Sequence, residues 1–182
     1  PKRFRADMAE SHSIGMLKRL DVLASSDGST HKFLWELGDG NRIESVIIRD
    51  EDRVTACISS QSGCRMGCAF CRTGEMKFIR NLAPGEIVDQ LIRMRSSLAE
   101  SGEDITNIVF MGMGEPLYNF DGVRDAIGVI TDDQGLSLGR RRITVSTSGV
   151  VPQIGPLGEE MGTMLAISLH AVRDDLRNEL VP

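Results

Sequence analysis

The sequence predicts an α/β fold, a partial (β/α) barrel carrying an N-terminal β-hairpin extension. Two strand-like runs, His31 to Leu37 and Arg42 to Ile48, are joined by Gly38-Asp39-Gly40-Asn41, a short linker of the kind that closes hairpins. Downstream, strand and helix alternate at least three times with short connections, which implies parallel strands with right-handed crossovers. Polar, cysteine-rich and glycine-rich turns follow the predicted strands, and in such folds ligands collect at the carboxyl ends of the strands. An open doubly wound sheet is the alternative architecture.

The elements follow in order. Residues 1 to 30 are polar, with a predicted helix from Ile14 to Ala24 ending at Ser25-Ser26-Asp27-Gly28. After the hairpin, a strand over Arg53 to Ser59 leads straight into a cysteine loop. From Pro84 the period changes: Ile87, Leu91, Met94 and Leu98 recur at helical spacing, with Pro84 placed for the first turn. Asn107 to Met111 reads as a short strand ending in Gly112-Met113-Gly114-Glu115-Pro116. A helix from Asp121 to Ile130, a strand from Arg142 to Ser146, a short helix near Val151 to Leu157 and a strand from Met164 to Leu169 complete the series.

Composition narrows the class. With 182 residues, 41% hydrophobic, the chain is long enough for one domain with a core. No apolar run approaches the ~20 residues needed to cross a bilayer, and no signal peptide opens the sequence. The expectation is a soluble cytoplasmic protein with no membrane partner. The net charge of −5 argues against a nucleic-acid partner, yet bases cluster at Lys2, Arg3 and Arg5 and at Arg140, Arg141 and Arg142. Taken alone, the clusters read first as a tail and a solvated turn, with RNA contact by Arg140, Arg141 and Arg142 as the alternative.

All four cysteines fall between Cys57 and Cys71. Structural disulfides would be spread out to staple distant loops, so this grouping points to a metal or redox site in a reducing compartment. Cys64-Arg-Met-Gly-Cys68-Ala-Phe-Cys71 is a C-x3-C-x2-C loop. Three thiolates on one loop can each hold one iron of a cubane cluster, leaving the fourth iron open to substrate. A zinc site closed by Cys57 is the alternative, although zinc favours paired C-x2-C units.

The loop and its surroundings resemble the radical S-adenosylmethionine superfamily, including Phe70 just before the third cysteine. Cys57-Ile-Ser-Ser-Gln-Ser-Gly-Cys64, Arg80-Asn81-Leu82, Met111-Gly-Met-Gly-Glu-Pro116, Ser146-Thr-Ser-Gly-Val-Val-Pro152 and Ala166-Ile-Ser-Leu-His-Ala171 narrow the likeness. They are similar to the dual-specificity RNA adenine-2 methyltransferases, which act on adenosine in large-subunit ribosomal RNA and in tRNA. The resemblance runs from about Trp35 to the end. It implies a [4Fe–4S] cluster on Cys64, Cys68 and Cys71, with S-adenosyl-L-methionine as second cofactor. Gly114, Glu115, Ser146, Ser168, Leu169 and His170 are then cofactor-binding. Cys57 becomes the resolving thiol and Glu44 the proton acceptor. An electron donor such as flavodoxin or ferredoxin is implied as a partner.

Taken as residues alone, these positions keep plainer readings. Ser146 suits a core hydroxyl, His170 a structural strand-end residue, Cys57 an inert buried thiol and Glu44 a solvent-facing strand residue. The Gly-Met-Gly-Glu turn offers a carboxylate and close backbone carbonyls, which an amine needs as acceptors.

The family logic is that carbon 2 of adenine is electron-poor and cannot take a methyl group by ordinary displacement. A methyl group is instead carried on a protein cysteine and added by radical chemistry. The resolving thiol then attacks the methylated sulfur, forming a disulfide and releasing the methylated base. The family's methyl-carrying cysteine lies well downstream, and no cysteine follows Cys71. The chain therefore reads as an excerpt: residues 1–30 as linker and helix from a mostly missing N-terminal domain, and 31–182 as the N-terminal part of the catalytic barrel. Lys77 stands where family members often carry glycine. A carbon-8 adenine methyltransferase of the same family and a non-catalytic zinc-bound RNA module are the competing functions. A glycyl-radical activase would share only the cysteine loop.

Overall fold

Alternation of apolar and polar residues builds the sheet. In the computed structural model, which describes residues 15–182, four antiparallel strands run in sequence order. They are β1 (Lys18–Ala24), β2 (Thr30–Glu36), β3 (Arg42–Asp50) and β4 (Arg53–Cys57). A two-stranded ribbon follows, β5 (Gln61–Ser62) with β6 (Arg80–Asn81). Helix α1 (Pro84–Leu98) leads to β7 (Asn107–Phe110), and α2 (Phe120–Thr131) to β8 (Ile143–Thr147). Short helical turns Val151–Gln153, α3 (Ile154–Pro156) and Leu157–Met161 precede β9 (Met164–Ile167), and α4 (Asp174–Leu180) follows it. The seven-stranded sheet has the order β1-β2-β3-β4-β7-β8-β9. Strand β4 is the junction, antiparallel to β3 and parallel to β7.

The two faces of this sheet divide the work. Ile43 and Ile47, Val54 and Ala56, Ile108 and Phe110, and Ile143 and Val145 are buried in one core with Ile87, Leu91 and Met94 of α1 and Val123 and Ile127 of α2. Their strand neighbours, Glu44, Val46, Cys57, Val109 and Ser146, point to the opposite face and keep partial exposure. Helix α1 starts as its sequence implies: Pro84 opens the first turn, and the Glu86 carboxylate accepts from the Ala83 backbone N–H at 2.9 Å.

The predicted helix from Ile14 to Ala24 is overturned over its described part. Lys18–Ala24 is a strand that pairs with β2 from Lys18↔Glu36 to Ala24↔His31, with an irregularity between Arg19 and Asp21. Sheet pairing at the free edge of β2 outweighs a local preference that no packing partner supports. Ile14, like Lys2, Arg3 and Arg5, lies outside the described residues. The remaining predicted strands and helices are present, with ends shifted by a few residues. Arg142 stands in the 3-10 turn Arg140–Arg142 ahead of β8, and α4 was not foreseen.

Candidate cofactor-binding site

Where β4 ends, the chain enters a run in which Ser59, Ser60, Gln61 and Ser62 are all buried. Gly63 then turns the backbone with φ +76°, and a Cβ there would sit 2.1 Å from the Lys77 carbonyl oxygen. The close approach belongs to the backbone of Lys77, so the unusual side chain at that position stays exposed and outside the fit. Gly74 plays the same part from the other side: a Cβ would meet the Cys68 carbonyl oxygen at 2.8 Å. Two glycines thus compact the loop that carries Cys64, Cys68 and Cys71. Helix α4 backs it, with Leu180 C=O accepting from the Ala69 N–H at 2.9 Å.

The three cysteines line one wall of a cavity of about 290 Å³. Gly114, Glu115, Ser146 and Ser168 line the facing side, each delivered by the carboxyl end of β7, β8 or β9. Glu115 is 3% exposed. One carboxylate oxygen accepts from the Ser148 N–H at 2.8 Å and the other from the Leu117 N–H at 3.1 Å. The Ser146 and Ser168 hydroxyls lie 3.4 Å apart. His170 lines the same cavity with φ +59°, its ring 4.5 Å from that of Phe70. Leu169 does not line it: its side chain is exposed and borders a separate shallow groove with Val172 and Leu176.

Burial pushes the Cys64 thiol up from its ordinary range; the Met66 N–H opposes this, and nearby Cys68, Cys71 and Glu115 add to it. Cys57 is not among the residues that line this cavity. Burial pushes its thiol up to about 11, partly offset by a hydrogen bond from the Met111 N–H. Glu44 lies on the same face of the sheet, on the strand whose Val46 pairs with Cys57. Its carboxylate meets Lys32 Nζ at 3.0 Å. The Arg140–Arg142 cluster falls at the amino end of β8, opposite the rim that carries the cavity.

Among the described residues, no three His, Cys, Asp or Glu side chains are preassembled as a metal-binding group. The donor set nevertheless suits an iron–sulfur cluster, since three soft sulfur ligands sit on one compact loop and the opposite wall leaves an open side. Gly112 and Gly114 keep that wall thin. A Cβ at Gly112 would meet the Ile58 carbonyl oxygen at 2.7 Å, and one at Gly114 would meet Gln61 Cβ at 2.5 Å.

Residues 58–181 match the family described as the Radical SAM superfamily. The chain belongs to that superfamily, and its cofactors are a [4Fe–4S] cluster and S-adenosylmethionine. More narrowly, it is 50% identical over 195 residues to the dual-specificity RNA methyltransferase RlmN of Rhodopseudomonas palustris (strain TIE-1), covering 100% of this chain and 49% of the relative. The protein of the same name from Magnetococcus marinus is 54% identical over 158 residues, 87% of this chain and 44% of the relative. A solved radical SAM methyltransferase from Sphaerobacter thermophilus matches with a TM-score of 0.96 at 44% identity, covering 100% of this chain and 54% of that one. The chain thus spans about half the length of the curated relatives it matches.

Sequence reasoning missed Ser59, Gln61, Gly63 and Gly74. A visible signal existed for the first two, the four consecutive polar residues Ser59-Ser60-Gln61-Ser62 between Cys57 and Cys64.

Proposed function

We propose that this chain is the cluster-binding half of an RNA methyltransferase. The whole protein transfers a methyl group to carbon 2 of adenosine in large-subunit ribosomal RNA and in tRNA, through a methyl-cysteine intermediate. The observation that carries this reading is the meeting of the Cys64, Cys68 and Cys71 thiols with the buried Glu115 carboxylate across one cavity. The relatives' names supply the substrate class. When bound, the cluster and S-adenosylmethionine supply a reductively generated carbon radical.

Each residue then has a task that its surroundings allow. Cys64, Cys68 and Cys71 would hold the iron–sulfur cluster. Glu115 retains lone pairs beyond its two backbone donors and takes the amino group of the cofactor. Gly114 lets the turn come close, and Ser146 and Ser168 offer hydroxyls to the rest of the cofactor. His170 walls the cavity beside Phe70, and Leu169 contributes through its backbone at the end of β9. Cys57 resolves the methylated sulfur as a thiolate, and Glu44 accepts the proton lost from the base. The reductant is a one-electron carrier such as flavodoxin or ferredoxin, and the cytoplasm is where it and the RNA meet. Among the described residues no helix is long and apolar enough to cross a membrane.

The test is anaerobic reconstitution of the whole protein with iron and sulfide, then methyl transfer from labelled S-adenosylmethionine to RNA. About four irons per chain, lost on Cys68→Ala, with 2-methyladenosine in the digested RNA, are expected. A label on carbon 8 would replace the assigned product, and a colourless protein holding one zinc would end the radical reading.

A further inference from the structure

Ile58-Ser-Ser-Gln-Ser-Gly63 joins the end of β4 to the first ligand cysteine, and its four central side chains are at most 1% exposed. A polar run is buried at a cost unless specific partners satisfy it. Most of its polar groups find partners on neighbouring elements, the turn that carries Glu115 among them, while the Ser60 hydroxyl is buried without one among the described residues. The Gln61 side-chain Oε1 accepts from the Glu115 N–H at 2.9 Å, and its Nε2 donates to Asn81 Oδ1 at 2.8 Å. Asn81 in turn donates to the Tyr118 carbonyl at 3.2 Å. The backbone N–H groups of Ser60 and Gln61 both donate to the Met113 carbonyl, at 2.9 and 3.1 Å. Ser59 Oγ accepts from the Met113 N–H at 2.8 Å while donating to the Glu44 carbonyl at 2.6 Å. Gly114, at φ +100°, is moulded against the Gln61 side chain.

Glu115 is therefore gripped twice, at its carboxylate by Ser148 and at its backbone by Gln61. Gln61 is also three residues from Cys64 along the chain. We propose that Gln61, braced by Asn81, is a positioning residue that sets the separation between the cysteine loop and Glu115. A cofactor held at both the open iron and the amine site binds well only if those two points keep a fixed spacing, because one misplaced anchor weakens both. The inference rests on the reading that Glu115 takes the cofactor's amino group.

The test uses the whole protein, reconstituted, with iron content and the S-adenosylmethionine dissociation constant measured separately. Gln61→Met keeps the volume and removes both hydrogen bonds. It is expected to retain wild-type iron while weakening S-adenosylmethionine about tenfold, the effect of one lost hydrogen bond with a buried N–H left unpaired. Asn81→Ala, at an exposed position, removes only the brace, with roughly a threefold loss expected. Unchanged affinity in Gln61→Met overturns the proposal. Iron loss in Gln61→Met combined with unchanged affinity in Asn81→Ala also overturns it, since Gln61 would then serve the loop alone. Iron loss in Gln61→Met with weakened affinity in Asn81→Ala supports it. A wild-type protein that loads iron yet fails to bind S-adenosylmethionine would sink the reading of Glu115, and this inference with it.

Discussion

Cys57 ends β4 beside Val46, with its thiol drawn away from water and its titration pushed up to about 11 from an ordinary 9.0. In its proposed role as the resolving thiol Cys57 would act as the thiolate, and at neutral pH nearly all of it is held in the thiol form. The linkage sign follows from the direction of the shift. Between about pH 9 and about 11 the unfolded chain releases this proton while the folded chain keeps it, so stability falls as pH rises through that window. Iodoacetamide labelling of the Cys57 peptide in the apoprotein should be on the order of a hundredfold slower at pH 8 than that of a free thiol. It should gain about tenfold per pH unit toward 11. Labelling at the free-thiol rate would contradict the burial argument. At this scale the candidate metal ligands were legible, because C-x3-C-x2-C spacing is local chemistry. The exclusion of the Leu169 side chain from the cavity was not, because it depends on how the backbone turns at His170, where φ is +59°.

Elements are shaped by glycines whose roles differ although their dihedrals are alike. Gly28 has φ +73°, and a Cβ there would find nothing within 4 Å, whereas at Gly63, with φ +76°, it would meet the Lys77 carbonyl oxygen at 2.1 Å. Gly28→Ala should therefore cost only the backbone strain, about 1–2 kcal/mol. Gly63→Ala adds a steric conflict that the loop must relieve by moving, for a total of roughly 3 kcal/mol or more. Urea unfolding of the pair measures this, and equal losses would remove the packing role from Gly63. The same dependence on neighbours explains the error at β1. Residues 18–24 hold a helix only if something packs on it, and the open edge of β2 offers hydrogen bonds instead. Strands β3, β4, β7 and β8 were legible because their alternating apolar residues meet one core.

Across the whole molecule, the sheet separates a covered face from a working one, and the chain's charge follows neither. The three arginines at Arg140–Arg142 occupy the amino end of β8, away from the rim that carries the cavity. In the proposed assignment three of the four cysteines serve the cluster and the fourth is the resolving thiol; the chain has no fifth to carry a methyl group. The 182-residue chain by itself should accordingly take up iron and sulfide yet leave RNA unmethylated. Labelled adenine formed by this chain alone would show that a different group carries the methyl. The sequence by itself determined the fold class, the candidate cluster ligands and the strand-end turns, because these depend on spacing along a short stretch of chain. Only the tertiary structure decided that the buried run Ser59–Ser62 ties the cysteine loop to Glu115, and that residues 18–24 form a strand. Both depend on partners distant in sequence, and a hydrogen bond between Gln61 and Glu115 exists only once β4 and β7 lie side by side.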